Sequence, residues 1–432
     1  MSKKTFVSFS AAAAAVALLA AGCTVGGGSD TGDGGTDDVT LTLLTFETPN
    51  LDAEYWDASI ERANKLVPGV TIEKLVAPTT DRDAYARQLD STGELPDIMV
   101  AVNPTGLAEA GKLAEFSQDE LSHWIDPTAN SFDGKIYQLP TNTQTIPNVY
   151  YSKAAFEKAG IDEVPTTWDA LLDAAEKLKS AGITPFIVNG GGSDTWANIY
   201  PLTALVGTDV YAEDPDFLGK LAAGEADFSD PKFAGAVSKL KELVDKGYID
   251  PSTLAKTYAE GQEAFLGGDG GMYPMGSWFT VAPTAEQQED LGVFPWPSDD
   301  GSLVMPTYTG GGLSVSASAP DVDKAKEWAI AWSQVPENLE GGVLADGLFV
   351  ALKDFDLPDG TTKLYDETLS LYQEAESSGT VTAAFGNEGG IPALPAGFTA
   401  EVNSAIGDLV SGRTDVDGFV EHLNSTYAEL TQ

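Results

Sequence analysis

Residues 39–102 open with VTLTLLTF (39–46) and close with DIMVAV (97–102), and the order of elements between them decides the fold. The first run is rich in Thr, Val and Leu and ends in a polar loop, ETPNLD (47–52). AEYWDASIERANKL (53–66) reads as a helix and VTIEKLV (70–76) as a second strand. Residues 81–91 read as a second helix. DIMVAV is nearly continuous in apolar residues, as expected of a strand covered on both faces. The order strand, helix, strand, helix, strand implies a parallel, doubly wound α/β sheet. Such sheets take their ligands beyond the carboxyl ends of the strands. Glu47 and Asn103 directly follow two such ends and are therefore candidate ligand residues.

Toward the C-terminus, PTTWDALLDAAEKLK (165–179) is the clearest helix. Thr166 and Asp169 have capping-box spacing, and Leu171, Leu172, Ala175 and Leu178 make one apolar stripe that Gly182 ends. Residues 233–244 and 324–335 are further amphipathic helices. Trp328 and Trp332 lie four residues apart on the latter and are expected in the core. Trp168 is expected to pack at a helix start, and Trp56 and Trp124 are left open.

Toward the N-terminus, Lys3 and Lys4 precede an uncharged, apolar or small-residue run over 6–21. That is the layout of a secretory signal peptide, assigned to 1–22. The run is too short for a comfortable membrane span, which needs about 20 apolar residues. LLAAGC (18–23) is similar to the bacterial lipobox, although Ala20 stands where Leu is commoner. Cys23, the chain's single cysteine, is then a lipidation site. Residues 23–38 are mostly Gly, Ser, Thr and Asp and read as a flexible tether. The expected location is extracytoplasmic, with the lipid anchoring the protein to the outer face of the bacterial cytoplasmic membrane.

The 432-residue chain has a net charge of −42. Such a surface repels nucleic acid and anionic lipid. No cysteine remains for a disulfide or a thiol nucleophile. The two histidines, His123 and His422, are isolated, so no metal site is expected. No GxSxG elbow and no GxxxxGK[ST] loop occurs, which argues against a serine hydrolase and an ATPase. The 66 acidic residues guarantee chance carboxylate pairs, but no spacing singles out the acid and nucleophile of a glycoside hydrolase. A surface adhesion or scaffolding lipoprotein would share the leader, the tether and the acidity.

Longer segments are more specific. FDGKIYQLP (132–140) leads through VYYSK (149–153) and FEKAG (156–160) into the helix at 165–179. EAFLGGDGGMYPMGSW (263–278), FPWPSDDGSLVMPTYTGGGLSVS (294–316) and LVSGRTDVDGFVEHL (409–423) follow in order. Together these segments resemble extracellular solute-binding protein family 1, which holds the maltose- and multiple-sugar-binding proteins of ABC importers. The resemblance implies a two-lobed periplasmic-binding-protein-like fold of class II, each lobe a mostly parallel sheet flanked by helices. It places chain crossings near 143–148, 290–293 and 318–322. Lobe I is then 39–146 plus 293–319, and lobe II is 147–292 plus 320–432. The implied function is capture of a carbohydrate between the lobes, with no catalysis and no cofactor. The implied partners are the transmembrane subunits of a permease with a separate ATPase, and the protein is expected to be a monomer.

A sugar presents hydroxyls at its edge and an apolar C–H face, so its site needs planar polar side chains and aromatic plates. Trp278 follows Met275-Gly276-Ser277, where the family places a cleft aromatic. Trp196 follows the Gly-rich stretch 190–194. Asn142 and Gln144 lie at the first crossing. Tyr308 and Gly311 belong to YTGGG (308–312), where backbone could approach a ligand or merely turn. Asn387 sits in the loop FGNEGG (385–390).

Overall fold

The structure is a computed structural model, and it describes residues 38–432 apart from 79–80, 130, 133, 193 and 389–392. The expected signal peptide (1–22), the lipid site Cys23 and the tether up to residue 37 lie outside the described residues.

The strands β1 (Val39–Thr45), β2 (Val70–Val76) and β3 (Ile98–Val100) are parallel, with Val39 opposite Val70 and Leu43 opposite Ile98. Leu41, Leu43, Leu44, Ile98 and Met99 are fully buried, as the apolar runs require. Thr42 and Asp97 tie β1 to the start of β3: the Thr42 N–H and O–H donate to the Asp97 carboxylate at 2.8 and 2.9 Å, and the Asp97 N–H donates back at 2.9 Å. The intervening helices, Ala53–Leu66 and Arg82–Thr92, start at aspartate caps: Asp52 accepts the Tyr55 N–H and Asp81 the Ala84 N–H, both at 2.9 Å.

A two-stranded hairpin of β4 (Ser131–Phe132) and β5 (Lys135–Ile136) precedes β6 (Asn142–Thr145) and β7 (Asn148–Ser152). The remaining strands are β8 (Thr184–Phe186), β9 (Gly270–Met275), β10 (Leu291–Pro295), β11 (Met305–Gly310), β12 (Leu313–Val315), β13 (Phe349–Val350) and β14 (Val381–Ala383). They complete sheets of order β12-β3-β1-β2 and β10-β7-β9-β8, and a third of order β13-β6-β11-β14.

The first two sheets share one logic. In each, three strands run one way and one runs against them: β12 in the first, β7 in the second. Each opposed strand follows directly on a strand of the third sheet, β12 on β11 and β7 on β6. A chain arriving from the gap must run away from it, so the other three strands of each sheet aim their carboxyl ends at the gap. The expectation of mostly parallel sheets holds in this sense. The interior position of β7 makes two of the three pairings in its sheet antiparallel.

Residues 38–432 form one unit by backbone contact, and within it the side chains bury two main cores. The first gathers residues from 41–139 and 313–352, and the second residues from 149–296 and 364–423. These cores move two of the expected lobe boundaries, 293–319 and 320–432. Phe294 and Trp296 pack in the second core, so the chain returns through 297–312 rather than at 290–293. The helix Val322–Trp332 buries Ala325, Trp328, Ala329 and Trp332 in the first core, so the last crossing comes after β13 rather than at 318–322. The physical reason is that an apolar stripe fixes which face of an element is buried, not which sheet covers it. Trp56, Trp124 and Trp168 are also buried.

Candidate functional site

Beyond the carboxyl ends of β1, β3 and β9 lies a cavity of about 580 Å³, within the usual range for small-molecule sites, about 300–1,000 Å³. Its walls come from both cores.

One wall is aromatic. β9 ends at Met275, and Gly276-Ser277 lead into a turn, Ser277–Val281, that turns Trp278 back over Gly276. A Cβ at Gly276 would stand 2.1 Å from the Trp278 ring, so the glycine is required for this placement. Trp196 sits in the short turn Thr195–Ala197, Tyr200 opens the helix Tyr200–Val206, and Tyr258 opens the helix Tyr258–Leu266. Trp196 is 6.1 Å from Trp278, 5.3 Å from Tyr258 and 5.9 Å from Tyr200, ring to ring. The Asp194 carboxylate accepts the Tyr258 N–H at 2.7 Å and ties the two stretches together. Trp196 and Trp278 are partly exposed, with Tyr200 and Tyr258 buried behind them.

The facing wall carries Phe46, Tyr55 and Trp56, the last stacked on Trp332 at 6.3 Å. The Arg82 guanidinium lies 4.0 Å above the Phe46 ring, and its Nε–H donates to the Ala101 carbonyl at 3.1 Å. Ala101 is left-handed, φ +52°, a costly conformation for a residue with a Cβ, and its N–H donates to the Gly312 carbonyl at 3.0 Å. Across the gap the Asn50 side-chain amide donates to the Trp278 carbonyl at 3.3 Å.

Asn103, Asn142, Gln144, Trp196, Trp278, Tyr308, Gly311 and Asn387 all line the cavity. Glu47 does not: it is exposed, while Phe46, Thr48 and Asn50 face inward. Successive residues of an extended chain point to opposite sides, so position after a strand end does not fix direction. Asn103 is engaged locally, its N–H donating to Asp83 at 2.8 Å and its side-chain oxygen accepting the Thr105 N–H at 2.9 Å. The glycine run packs tightly. Gly311 is left-handed at φ +66°, and a Cβ at Gly312 would lie 1.7 Å from the Leu139 carbonyl oxygen.

Several buried polar atoms of the lining have no hydrogen-bond partner among the described residues, among them the Trp196 indole nitrogen, Thr141 Oγ1, Asn142 Oδ1 and Asn403 Oδ1. Burying such atoms unpaired is costly, so they are atoms that a bound solute could pair with. Five acids line the cavity, Asp81, Asp83, Asp90, Asp346 and Glu388, against two cations, Arg82 and Arg87. Burial pushes the Glu388 carboxyl up to about 7, although it accepts the Tyr211 O–H at 2.9 Å and the Gly386 N–H at 3.1 Å. Burial likewise raises Asp346 to about 8, with Arg82 pulling against it, and raises Asp83 against the Asn103 N–H. No group of three or more His, Cys, Asp or Glu side chains that could hold a metal ion occurs among the described residues.

Sequence reasoning missed Arg82, Tyr200, Tyr258, Asp346 and Glu388. The capping box Thr257/Glu260 marks the helix that Tyr258 opens, but nothing in the pattern aims that ring at a ligand.

The profile of bacterial extracellular solute-binding proteins matches residues 48–335. An ABC transporter extracellular-binding protein of Pyrococcus horikoshii, itself uncharacterised, is 27% identical over 306 residues, 69% of this chain and 64% of that protein. The multiple sugar-binding protein of Streptococcus mutans is 25% identical over 237 residues, 52% of this chain and 53% of that protein. The chain thus spans between half and two thirds of these curated relatives. Among solved structures, a chitin oligosaccharide binding protein superposes with a TM-score of 0.78 at 25% identity, covering 91% of this chain and 99% of that one.

Proposed function

Because the chain belongs to the bacterial extracellular solute-binding protein family, we propose that it captures a neutral di- or oligosaccharide in this cavity and delivers it to a membrane permease powered by a separate ATPase. The observation that carries the reading is the wall of Trp196, Tyr200, Tyr258 and Trp278 facing a lining with unpaired buried polar atoms. Aromatic plates bind the apolar faces of pyranose rings, and buried polar groups read the hydroxyls around them. A phosphorylated solute fits less well, since the lining acids outnumber the cations and Arg82 is already engaged with Phe46 and Ala101. The sugar names borne by the Streptococcus mutans protein and the chitin oligosaccharide binding protein support the same class of ligand.

The test is a thermal-shift panel of chitin oligosaccharides, maltose, raffinose and stachyose. A ligand at 100 times its dissociation constant stabilises the folded state by about 2.7 kcal/mol. At least one neutral sugar should raise the midpoint and be recovered uncleaved, in keeping with a binding protein that performs no catalysis. No shift with any of them overturns the reading.

Anchoring is part of the same proposal. No helix among the described residues is long and apolar enough to cross a membrane. LLAAGC (18–23) supports lipidation of Cys23, which would hold a monomer at the outer face of the cytoplasmic membrane. Cys23→Ala should move the protein from the membrane fraction to the soluble one; unchanged fractionation excludes the lipid.

A further inference from the structure

Asp346 is the last residue of the helix Pro336–Asp346, and the structure gives it no stabilising role. A carboxylate at a helix C-terminus meets the negative end of the helix dipole. The side chain lines the cavity, and among the described residues it accepts no hydrogen bond and forms no ion pair within bonding distance. The other lining acids have local work. Asp81 caps a helix, Asp83 accepts the Asn103 N–H, Asp90 pairs with Lys112 at 2.9 Å, and Glu388 accepts from Tyr211. The position of Asp346 is nonetheless tightly fixed. The following residue, Gly347, is left-handed at φ +58°, and a Cβ there would lie 2.5 Å from the Ser277 carbonyl oxygen. The helix end is thereby pinned against the turn that carries Trp278. The carboxyl lies within electrostatic reach of Tyr55 on one wall and Tyr258 on the other.

We propose that Asp346 is a specificity-determining residue of the site, its two carboxylate oxygens accepting hydroxyl donors from the edge of the sugar bound against Trp278. The proposal rests on the carbohydrate reading of the cavity. It explains why an unpaired acid is held at a helix end in the gap: the ligand supplies the missing donors. It also accounts for selectivity, because a solute without donors at that edge would leave the carboxylate oxygens unpaired.

A pH signature follows from the surroundings. Tyr55 faces Asp346 from the helix Ala53–Leu66, with Arg62 of that helix beside Tyr55, Arg82 faces it from the helix Arg82–Thr92, and Tyr258 from the helix Tyr258–Leu266. Glu337 and Glu340 lie on its own helix, while the turn Ser277–Val281 and β13 bring no titratable group. Burial holds both tyrosines far above their ordinary range, so they stay neutral. Asp346, raised to about 8 by burial, is the group that titrates there. Hydroxyl donors bond to the ionised carboxylate, so sugar binding expels a proton whenever Asp346 is protonated. Affinity should therefore climb with pH, by up to about tenfold per unit, and level off above the Asp346 value.

The experiment is calorimetric titration of wild type and Asp346→Asn with the tightest-binding sugar of the panel, between about pH 5 and pH 9. Wild type should show the rise and the plateau. Asp346→Asn, nearly isosteric, should bind about tenfold or more weakly on the plateau and lose the part of the rise between about pH 7 and pH 8, above the Glu388 value, while its unliganded melting temperature stays at or above that of wild type. An undiminished plateau affinity in Asp346→Asn, or wild-type affinity that is flat or falls with pH, overturns the proposal. Wild-type binding of no sugar at any pH overturns the carbohydrate reading instead, and the role of Asp346 with it.

Discussion

Trp278 shows how much a single position can disclose. Gly276-Ser277-Trp278 places a large ring beside a residue with no Cβ, and the ring folds back into space where a Cβ at 276 would lie 2.1 Å from it. Trp278 is partly exposed on the cavity wall and contacts Trp196 and Tyr200, so its loss removes cavity wall more than core. Trp278→Ala should weaken sugar binding by about 1–3 kcal/mol, the scale of a buried aromatic contact, and leave the unliganded melting temperature near that of wild type. Calorimetry with the tightest sugar checks this, and unchanged affinity would place the ligand elsewhere. Asp346 and Glu388 were illegible for a different reason. Any of 66 acids could face a cavity, and only contacts distant in sequence, such as Tyr211 to Glu388, distinguish these.

Elements carry the site by their ends. The helix Tyr258–Leu266 starts in a capping box: Thr257 Oγ1 accepts the Glu260 N–H at 3.3 Å, and the Glu260 carboxylate accepts the Thr257 N–H at 2.8 Å. Its first residue is a ring of the aromatic wall. Thr257→Ala should therefore cost about 0.5–2 kcal/mol of stability and also weaken sugar binding, because fraying of the first turn lets Tyr258 drift from Trp196. Denaturant midpoints and calorimetry read the two effects separately, and lost stability without lost affinity would show that Tyr258 does not support the ligand. Elements also explain the revised boundaries. Trp328 and Trp332 announce a buried helix face in the sequence, but the covering helix Ala53–Leu66 lies more than 250 residues earlier, where Asn64 Oδ1 accepts the Trp328 indole N–H at 2.7 Å.

For the whole molecule, the third sheet is where a closing motion would turn, because its strands lead from one core to the other. β6 leads out of the first core and β11 leads back toward it, paired antiparallel with Thr145 opposite Thr307. Small torsional changes in such paired crossings swing two packed bodies with little loss of core. A sugar touching both walls stabilises the closed arrangement more than the open one, which is the only way it can shift that balance. The Asn50 bond to the Trp278 carbonyl spans the same gap and belongs to the closed side. Small-angle scattering should therefore show the radius of gyration falling when the binding sugar is added. Saturable binding with no compaction would mean that the lobes do not close over the ligand.

The sequence alone determined the local grammar: which runs are strands and helices, that three successive strands are parallel, and that their carboxyl ends face the binding gap. It could do so because periodicity, caps and apolar runs act between residues close in the chain. Only the tertiary structure decided which sheet each late helix covers, that Phe46 rather than Glu47 turns inward, and that Arg82, Tyr258, Asp346 and Glu388 meet in one cavity. Those outcomes depend on contacts between residues far apart in the chain, where many pairings satisfy the same local pattern and side-chain packing selects one.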